Sequence, residues 1–320
     1  SAFAMAESAE CACVINALTG DVVFSKNMNQ KHAMASTTKI MTAIVAIERC
    51  NMDEIVDVSA TAANQEGSAA YISEGNQYYM KDLLYGLMLN SGNDAAVAIA
   101  EHVAGSEESF AELMNEKAEE LGLGNTHFMN PSGLDNPEHY TTVYNLALIA
   151  RYAMTLPQFR EIVATQYYTS EWGSRWKNSN KLLSNFEFCT GGKTGFTNKA
   201  GETLVTAAQN GELEYIVVTL AVPDRWTFHE QKYRKAMEMC ELITLQPAGP
   251  IEQEGYIAQL DKPFEVVVKK EEAGQGQYTM TLNKSKNELT LCWTDPSHTV
   301  VKTLPAVKPP RKFCFWRWCI

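Results

Sequence analysis

The order of apolar and polar residues in the first half of the chain predicts one β-hairpin followed by several helices. Residues 11–25 contain two short apolar runs on either side of the turn-prone Thr19-Gly20-Asp21, which is typical of a hairpin. Apolar residues then recur with a period close to 3.6, which predicts amphipathic helices. These helices are expected at 37–48, 80–89, 95–103, 107–121 and 142–154.

After residue 188 the pattern changes to short alternating runs that predict strands. We expect strands at 192–197, 202–209 and 214–222, with Asn210-Gly211 as a hairpin turn between the last two. A helix near 228–242 and a Pro/Gly-rich linker at 246–250 follow, and five more strands are predicted between 256 and 304. The sequence therefore predicts a first domain at 1–246, a small all-β domain at 251–308 and a C-terminal tail at 309–320.

Composition and charge narrow the classes of function. With 45% hydrophobic and 20% charged residues, the 320-residue chain is expected to be globular, with room for about two domains. A net charge of −11 disfavours nucleic acid as a partner. The longest apolar runs fall short of the roughly 20 residues that span a bilayer. The small residues at the N-terminus resemble the end of a processed signal peptide, which permits secretion.

The eight cysteines do not form a recognisable metal-binding or redox motif. The sequence has no Cys-x-x-Cys pair and no histidine at zinc-finger spacing. Cys11 and Cys13 alternate along a predicted strand, where neighbours on one face are poorly placed for a disulfide. We expect them to be small buried hydrophobic residues, and we expect neither a metal nor an organic cofactor.

Candidate chemistry begins at Ser36-Thr37-Thr38-Lys39, at the start of the first predicted helix. Residues three apart lie on the same face of a helix, so the Ser36 hydroxyl and the Lys39 amine can touch. A serine hydroxyl is a poor nucleophile at neutral pH and needs a base, which a lysine can supply if its pKa is lowered. Backbone N–H groups at a helix start can also stabilise a developing oxyanion.

Two further groups give this motif its specificity. Ser91-Gly92-Asn93 lies between two predicted helices, and Lys193-Thr194-Gly195 lies on a predicted strand. The Lys193-Thr194-Gly195 group does not belong to a phosphate-binding loop. Such a loop would need a glycine at position 187, where this chain has Glu. The scattered histidines also show no spacing that suggests a Ser-His-Asp triad.

Together the three groups resemble the motif set of serine penicillin-binding proteins and class A β-lactamases. Further similar stretches are Asn130-Pro131-Ser132-Gly133-Leu134 and Asn178-Ser179-Asn180-Lys181-Leu182-Leu183. Over residues 11–240 the chain is similar to low-molecular-weight penicillin-binding proteins of the serine D-alanyl-D-alanine carboxypeptidase family. The resemblance implies an α/β (α+β) fold of the serine β-lactamase/DD-peptidase type, with helices flanking an antiparallel sheet. It also implies action on peptidoglycan stem peptides ending in D-Ala-D-Ala, inhibition by β-lactams, and an extracytoplasmic location.

The resemblance implies a role for each motif residue. Ser36 would attack the penultimate D-Ala carbonyl, and Lys39 would take its proton. The backbone N–H groups of Ser36 and Phe196 would form the oxyanion hole. Ser91 and Asn93 would carry protons to the leaving D-alanine and orient the peptide.

The strand motif and a later arginine are implied to bind the substrate carboxylate. Lys193 would contribute a positive charge and Thr194 a hydroxyl, with Gly195 next to them in the substrate site. The Lys193 cation would also disfavour a charged Lys39. Arg225 resembles the family arginine that pairs with the terminal carboxylate, although it could instead be a surface charge paired with Asp224. The family often has His after Lys-Thr-Gly, whereas this chain has Phe196, which leaves substrate preference and acyl-enzyme lifetime open.

Two other functions remain as alternatives. A serine β-lactamase would need a glutamate to activate water, but the nearest candidate, Glu112, lacks the expected Glu-x-x-Leu-Asn context, and Gly92 replaces the Asp of Ser-Asp-Asn. A non-catalytic peptidoglycan-binding protein would keep the fold without turnover, which the intact motifs argue against.

The C-terminal tail has its own expectation. After Asp295 the sequence has five basic residues and no acidic one, and residues 311–320 interleave Arg and Lys with Trp and Phe. This mixture suits a membrane interface and resembles the amphipathic anchors of the family, so a peripheral membrane contact through residues 309–320 is expected. The alternative is that these aromatic residues pack onto the β domain.

Overall fold

The computed structural model describes residues 10–296 and 298–309. The chain divides into two compact units, Ser1–Met237 and Glu238–Ile320. The helices are α1 (Lys39–Arg49), α2 (Ala60–Ala63), α3 (Met80–Leu89), α4 (Asn93–Ala104), α5 (Glu107–Glu120), α6 (Val143–Ala153), α7 (Pro157–Ala164), α8 (Leu182–Asn185) and α9 (Arg225–Met239). Short 3₁₀ helices lie at Ala35–Thr38 and Ala273–Gln275.

The strands of the first unit are β1 (Cys11–Asn16), β2 (Val22–Lys26), β3 (Ile55–Asp57), β4 (Gln77–Tyr79), β5 (Tyr167–Thr169), β6 (Arg175–Lys177), β7 (Cys189–Thr197), β8 (Gly201–Asn210) and β9 (Leu213–Leu220). Five of them form an antiparallel sheet in the order β2-β1-β9-β8-β7. The predicted N-terminal hairpin is confirmed as β1 and β2, and β7 is an edge strand.

Both faces of this sheet are covered, which follows from the alternation of side chains along its strands. On one face Cys13, Val205 and Val218 belong to the core shared with the helices. On the other face Thr206 and Thr219 hydrogen-bond His229 of α9. Every residue of β1 is therefore buried, and the expectation that Cys11 and Cys13 act as small buried hydrophobic residues is confirmed.

The described residues of the second unit form strands and loops, apart from the end of α9 and the short Ala273–Gln275 helix. Its strands are β10 (Cys240–Gln246), β11 (Gly249–Gln253), β12 (Tyr256–Leu260), β13 (Phe264–Lys269), β14 (Gln277–Asn283), β15 (Glu288–Thr294) and β16 (Thr299–Val307). β10 pairs with β13, and the other five form a sheet in the order β11-β12-β16-β15-β14. Leu260, Val266, Leu291 and Trp293 contribute to its apolar core.

The predicted fold class is confirmed: helices flank an antiparallel sheet, and a small all-β unit follows in the chain. The division between the units, however, falls between Met237 and Glu238 rather than at the predicted linker of 246–250. The predicted helix 228–242 ends at Met239, because the next seven residues form β10 and take their hydrogen bonds from β13.

Several short elements carried no clear sequence pattern, among them α7 and the hairpin of β5 and β6. Within the described residues, no helix is both long and apolar enough to cross a membrane. Residues 310–320, which make up nearly all of the predicted tail, lie outside the described part of the chain.

Candidate active site

Ser36 and Lys39 are brought into contact at the start of α1. Ser36 lies in the 3₁₀ turn Ala35–Thr38, and Lys39 is the first residue of the α-helix, so the helix begins two residues later than predicted. Lys39 Nζ lies 3.0 Å from Ser36 Oγ. Ser36 is half-buried while Lys39 is fully buried, which leaves the hydroxyl accessible and the amine shielded from water.

The Lys39 amine has two further contacts from distant parts of the chain. Its Nζ lies 2.7 Å from Asn93 Oδ1 and 2.5 Å from the backbone carbonyl oxygen of Ser132. Burial lowers the pKa of Lys39 well below its ordinary value, and the nearby Lys193 cation lowers it further, while Asp94 opposes the shift. The environment therefore favours the neutral amine, which is the form that can accept a proton.

The Ser91 junction connects the two helices that the sequence predicted. α3 ends at Leu89 and α4 begins at Asn93, and Ser91 between them has φ of 60°, in the left-handed region that non-glycine residues rarely adopt. Lys193 Nζ lies 3.0 Å from Ser91 Oγ. The strained backbone at Ser91 belongs to the turn that carries its hydroxyl, and such strain is typical of functional sites.

The edge strand β7 carries the Lys-Thr-Gly motif. Lys193 is 1% exposed, and burial together with the Arg225 cation lowers its pKa to about 7. Its Nζ also donates to the carbonyl oxygen of Thr194. The Thr194 hydroxyl lies 2.7 Å from that of Ser179, which is exposed, so this pair of hydroxyls faces the open side of the strand.

Gly195 lets β7 approach the nucleophile. A Cβ atom at this position would lie 2.9 Å from the Ser36 backbone nitrogen and 2.4 Å from Thr203 Oγ1. Both separations are shorter than normal van der Waals contact, so only glycine fits without displacement. The next residue, Phe196, is 61% exposed, which leaves its ring outside the packed core.

Arg225 is the first residue of α9, and its side chain reaches the backbone of the motif strand. Its Nη1 donates to the carbonyl oxygens of Gly195 at 2.9 Å and Thr203 at 3.1 Å. Its Nη2 lies 3.7 Å from a carboxylate oxygen of Glu202, which differs from the alternative in which Arg225 is a surface charge paired with Asp224. Arg225 Nε is buried and has no hydrogen-bond partner among the described residues.

Asp94 was not singled out by the sequence, yet its carboxylate organises one wall of the site. Its Oδ1 accepts from the backbone N–H groups of Ala70 and Ala95, and its Oδ2 accepts from that of Ile72. The amide of Asn93 binds the same segment, donating from Nδ2 to the carbonyl oxygen of Glu66. The segment 66–72 is therefore tied to the junction that carries Ser91.

His139 is hydrogen-bonded to the turn that precedes α1. Its Nδ1 accepts from the backbone N–H of Met129 at 2.9 Å, so Nε2 carries the proton and donates to Thr38 Oγ1 at 2.7 Å. Burial lowers the pKa of His139 to about 4, which keeps the imidazole neutral. This hydrogen bond holds the residue directly before Lys39.

Sequence reasoning named all the motif residues but assigned no role to Ser132, Ser179, Asp94 and His139. Ser132 and Ser179 lie in stretches that carried the family resemblance, which was the only signal for them. Ser132 acts through its backbone carbonyl, a group that every residue type possesses. Nothing in the spacing of Asp94 or His139 indicates their contacts with Ala70, Ile72 and Thr38, because these partners come from other segments of the chain.

Comparisons with known proteins identify the family of the chain. Residues 2–224 match the profile of peptidase family S11, described as D-alanyl-D-alanine carboxypeptidase. D-alanyl-D-alanine carboxypeptidase DacF of Bacillus subtilis is 37% identical over 223 residues, a match that covers 67% of this chain and 57% of DacF. DacB2 of Mycobacterium tuberculosis, also named a D-alanyl-D-alanine carboxypeptidase, is 34% identical over 207 residues, covering 63% of this chain and 71% of DacB2.

Solved structures extend the likeness to both units. Penicillin-binding protein 6B of Escherichia coli aligns with a TM-score of 0.77 and 27% identity, covering 93% of this chain and 95% of that one. Penicillin-binding protein 5 of Haemophilus influenzae aligns with a TM-score of 0.85, covering 94% and 97%. At 23% identity, the second comparison supports the fold alone.

Proposed function

Because the chain belongs to the S11 family of D-alanyl-D-alanine carboxypeptidases, we propose that it is a serine DD-carboxypeptidase that removes the terminal D-alanine from peptidoglycan stem pentapeptides. The observation that carries this proposal is the buried Lys39 amine 3.0 Å from the accessible Ser36 hydroxyl. The reaction proceeds through an acyl-enzyme on Ser36, and it uses neither a metal nor an organic cofactor.

The contacts of Lys39 explain how it acts as a base. A neutral amine has two N–H groups and one lone pair. The two closer acceptors, Asn93 Oδ1 and the Ser132 carbonyl, take the two N–H groups, so the lone pair faces Ser36. As Ser36 Oγ bonds to the carbonyl carbon of the penultimate D-Ala, its proton passes to Lys39 Nζ. The negative charge that develops on the carbonyl oxygen is stabilised by the backbone N–H groups of Ser36 and Phe196.

The leaving group needs a proton when the peptide C–N bond breaks. The proton that Lys39 took from Ser36 passes to the departing amine, which returns Lys39 to its neutral form. Ser91, whose hydroxyl is hydrogen-bonded to Lys193, is proposed to relay it. Water then attacks the acyl ester, gives its proton to the same base, and restores the Ser36 hydroxyl. Free tetrapeptide and D-alanine are the products.

Three side chains account for selection of a free C-terminal carboxylate. The buried Lys193 amine, with a pKa of about 7, is partly charged at neutral pH, and an adjacent carboxylate favours its charged form. Thr194 supplies a hydroxyl on the open side of β7. Arg225 contributes a second positive charge beside the same strand. A site with two cations and a hydroxyl favours a carboxylate over an ester or amide terminus.

A serine β-lactamase is the alternative within the same fold. That activity needs a carboxylate that activates water for rapid hydrolysis of the acyl-enzyme. The acidic group whose charge acts on Lys39 is Asp94, and both of its oxygens accept hydrogen bonds from backbone N–H groups. Glu112, the candidate from the sequence, is exposed on α5. This arrangement favours the carboxypeptidase.

One experiment separates the three functions. The full chain and Ser36→Ala are incubated with diacetyl-L-Lys-D-Ala-D-Ala and, separately, with a labelled penicillin. D-Alanine release and a stable penicilloyl adduct, both lost in Ser36→Ala, support the carboxypeptidase. Rapid turnover of penicillin would indicate a β-lactamase. Binding to peptidoglycan without D-alanine release would indicate a non-catalytic binding protein.

The substrate also implies where the protein works. A family that acts on peptidoglycan and is a target of β-lactams functions outside the cytoplasm.

The basic and aromatic residues of 309–320 are proposed to contact anionic membrane lipids in that compartment. Deletion of 309–320 is expected to abolish salt-sensitive binding to anionic vesicles while D-alanine release is unchanged. Vesicle binding that survives the deletion would contradict the contact.

A further inference from the structure

Cys50, Glu54 and His102 form a cluster at the surface of the first unit. The cluster lies at the opposite end of α1 and α4 from the motif residues Lys39 and Asn93. Their donor atoms, one thiol sulfur, one carboxylate oxygen and one imidazole nitrogen, all lie within 4.8 Å of one another. His102 Nε2 lies 3.1 Å from Glu54 Oε2. The three residues are 4 and 48 positions apart in sequence, so no spacing motif reveals them.

The cluster joins the far ends of the two helices that begin at the active site. α1 starts at Lys39 and ends one residue before Cys50, and α4 starts at Asn93 and carries His102 in its last turn. Lys39 and Asn93 touch at one end of this helix pair. At a rise of about 1.5 Å per residue, Cys50 and His102 lie roughly 14–17 Å along the helices from that contact.

The backbone around the cluster is held in place by hydrogen bonds. The N–H of Cys50 donates to the carbonyl of Ala46, and the N–H of Glu54 donates to the carbonyl of Asn51. The start of α3 secures the loop from the other side, since the N–H of Met80 donates to the carbonyl of Glu54. A site on a rigid backbone loses little entropy when it binds a ligand.

Asn51 also orients the carboxylate of the cluster. Its backbone N–H and its side-chain amide both donate to Glu54 Oε1, at 2.7 and 3.2 Å, which leaves Oε2 pointing toward His102. A hydrogen-bonded partner on the second oxygen of a ligating carboxylate is a common feature of metal sites in proteins.

We propose that Cys50, Glu54 and His102 bind a zinc ion that clamps the C-terminal ends of α1 and α4 together. Thiolate, imidazole and carboxylate are the three side-chain ligands that zinc takes in proteins, and three of them leave a fourth position for water. Bonds of about 2.0–2.3 Å in a tetrahedral site place the donor atoms roughly 3.3–3.8 Å apart. Side-chain movements of about 1 Å therefore convert the cluster into a metal site.

Binding exchanges one proton for the metal. Cys50 is a free thiol, which carries a proton in the metal-free protein. The zinc–sulfur bond replaces the S–H bond, and that proton is released to solvent. The hydrogen bond between His102 and Glu54 is replaced by a bond from each residue to the metal. His102 then carries its proton on Nδ1, and its unprotonated Nε2 binds the metal.

The test uses Co²⁺ as a spectroscopic substitute for Zn²⁺ on the full-length protein under reducing conditions. One equivalent of Co²⁺ is expected to produce a thiolate-to-cobalt charge-transfer band in the near ultraviolet, and Zn²⁺ is expected to displace it. Cys50→Ser should abolish the band, and His102→Gln should weaken Co²⁺ affinity at least about tenfold. Cys292→Ser, which removes a free thiol of the second unit, is the matched control and should leave the band unchanged.

Several outcomes would overturn the site. They are the absence of a charge-transfer band at equimolar Co²⁺, a band that persists in Cys50→Ser, and an equal loss of band intensity in Cys50→Ser and Cys292→Ser. Circular dichroism shows whether each variant is folded. If Cys50→Ser fails to fold, Glu54→Gln and Asn51→Ala replace it, because each is expected to lower affinity about 10–100-fold while leaving all thiols in place. Unchanged affinity in both would contradict the proposal.

Discussion

Lys39 and Asn93 are each the first residue of an α-helix, and the Lys39 amine lies 2.7 Å from the Asn93 side-chain oxygen. Because 54 residues separate them in sequence, this contact fixes the relative position of two helix starts. The nucleophile precedes one helix, and the Ser91 hydroxyl precedes the other. The contact therefore sets the geometry in which a substrate would be held.

Lys39→Ala is expected to abolish acylation of Ser36. Removal of a positioned general base typically lowers the rate by about 10²–10⁴-fold. Formation of the penicilloyl adduct, followed over time with a labelled penicillin, measures this step directly. Lys177→Ala, at an exposed lysine on β6, is the control and should acylate at the wild-type rate. An adduct formed by Lys39→Ala at near the wild-type rate would show that another group is the base.

Gly195→Ala is expected to lower the acylation rate strongly while the protein stays folded. The added methyl group would press on the Ser36 backbone nitrogen and on Thr203 Oγ1, which displaces the nucleophile or β7. Gly124→Ala is a matched control, because a Cβ there meets no atom within 4 Å. Acylation rates and circular dichroism of both variants provide the measurement. Equal rates for both would mean that the strand can move aside without effect on catalysis.

The folded protein is expected to gain stability from Lys193 as the pH rises. Its pKa is about 7 in the folded state and about 10.4 in an unfolded chain. Between these values the unfolded chain holds the proton and the folded protein does not. The free energy of unfolding of wild type, relative to Lys193→Met, should therefore increase with pH by up to about 1.4 kcal/mol per unit.

Urea denaturation of wild type and Lys193→Met at several pH values between about 6 and 10 measures this difference. Groups whose pKa does not depend on Lys193 cancel in the comparison, and Lys39, whose pKa Lys193 lowers, is the exception. Lys177→Met removes an exposed lysine instead and should show no comparable slope against wild type. A difference that is constant with pH would indicate that the pKa of Lys193 is not lowered by burial.

Arg225→Gln distinguishes carboxylate binding from support of β7. If the guanidinium pairs with the substrate carboxylate, kcat/KM for a peptide ending in free D-Ala should fall by roughly 30–150-fold. Turnover of an ester substrate that lacks this carboxylate should fall much less. Since Arg225 also donates to the Gly195 and Thr203 carbonyls, equal losses on both substrates would assign it a structural role.

Much of this protein was determined by local sequence patterns. Apolar periodicity predicted the hairpin, α3 and the antiparallel strands, because side-chain direction repeats regularly within one element. The three-residue spacing of Ser36 and Lys39 predicted their contact for the same reason. The motif resemblance then named the other site residues.

Only the tertiary structure decided the features that depend on groups distant in sequence. β10 joined the second unit because its backbone pairs with β13, a choice that side-chain pattern alone does not encode. The low pKa of Lys39 arises from complete burial beside Lys193, and its third partner is the carbonyl of Ser132, 93 residues away. Burial and backbone contacts of this kind depend on how the whole chain packs, so no local pattern of residue types could predict them.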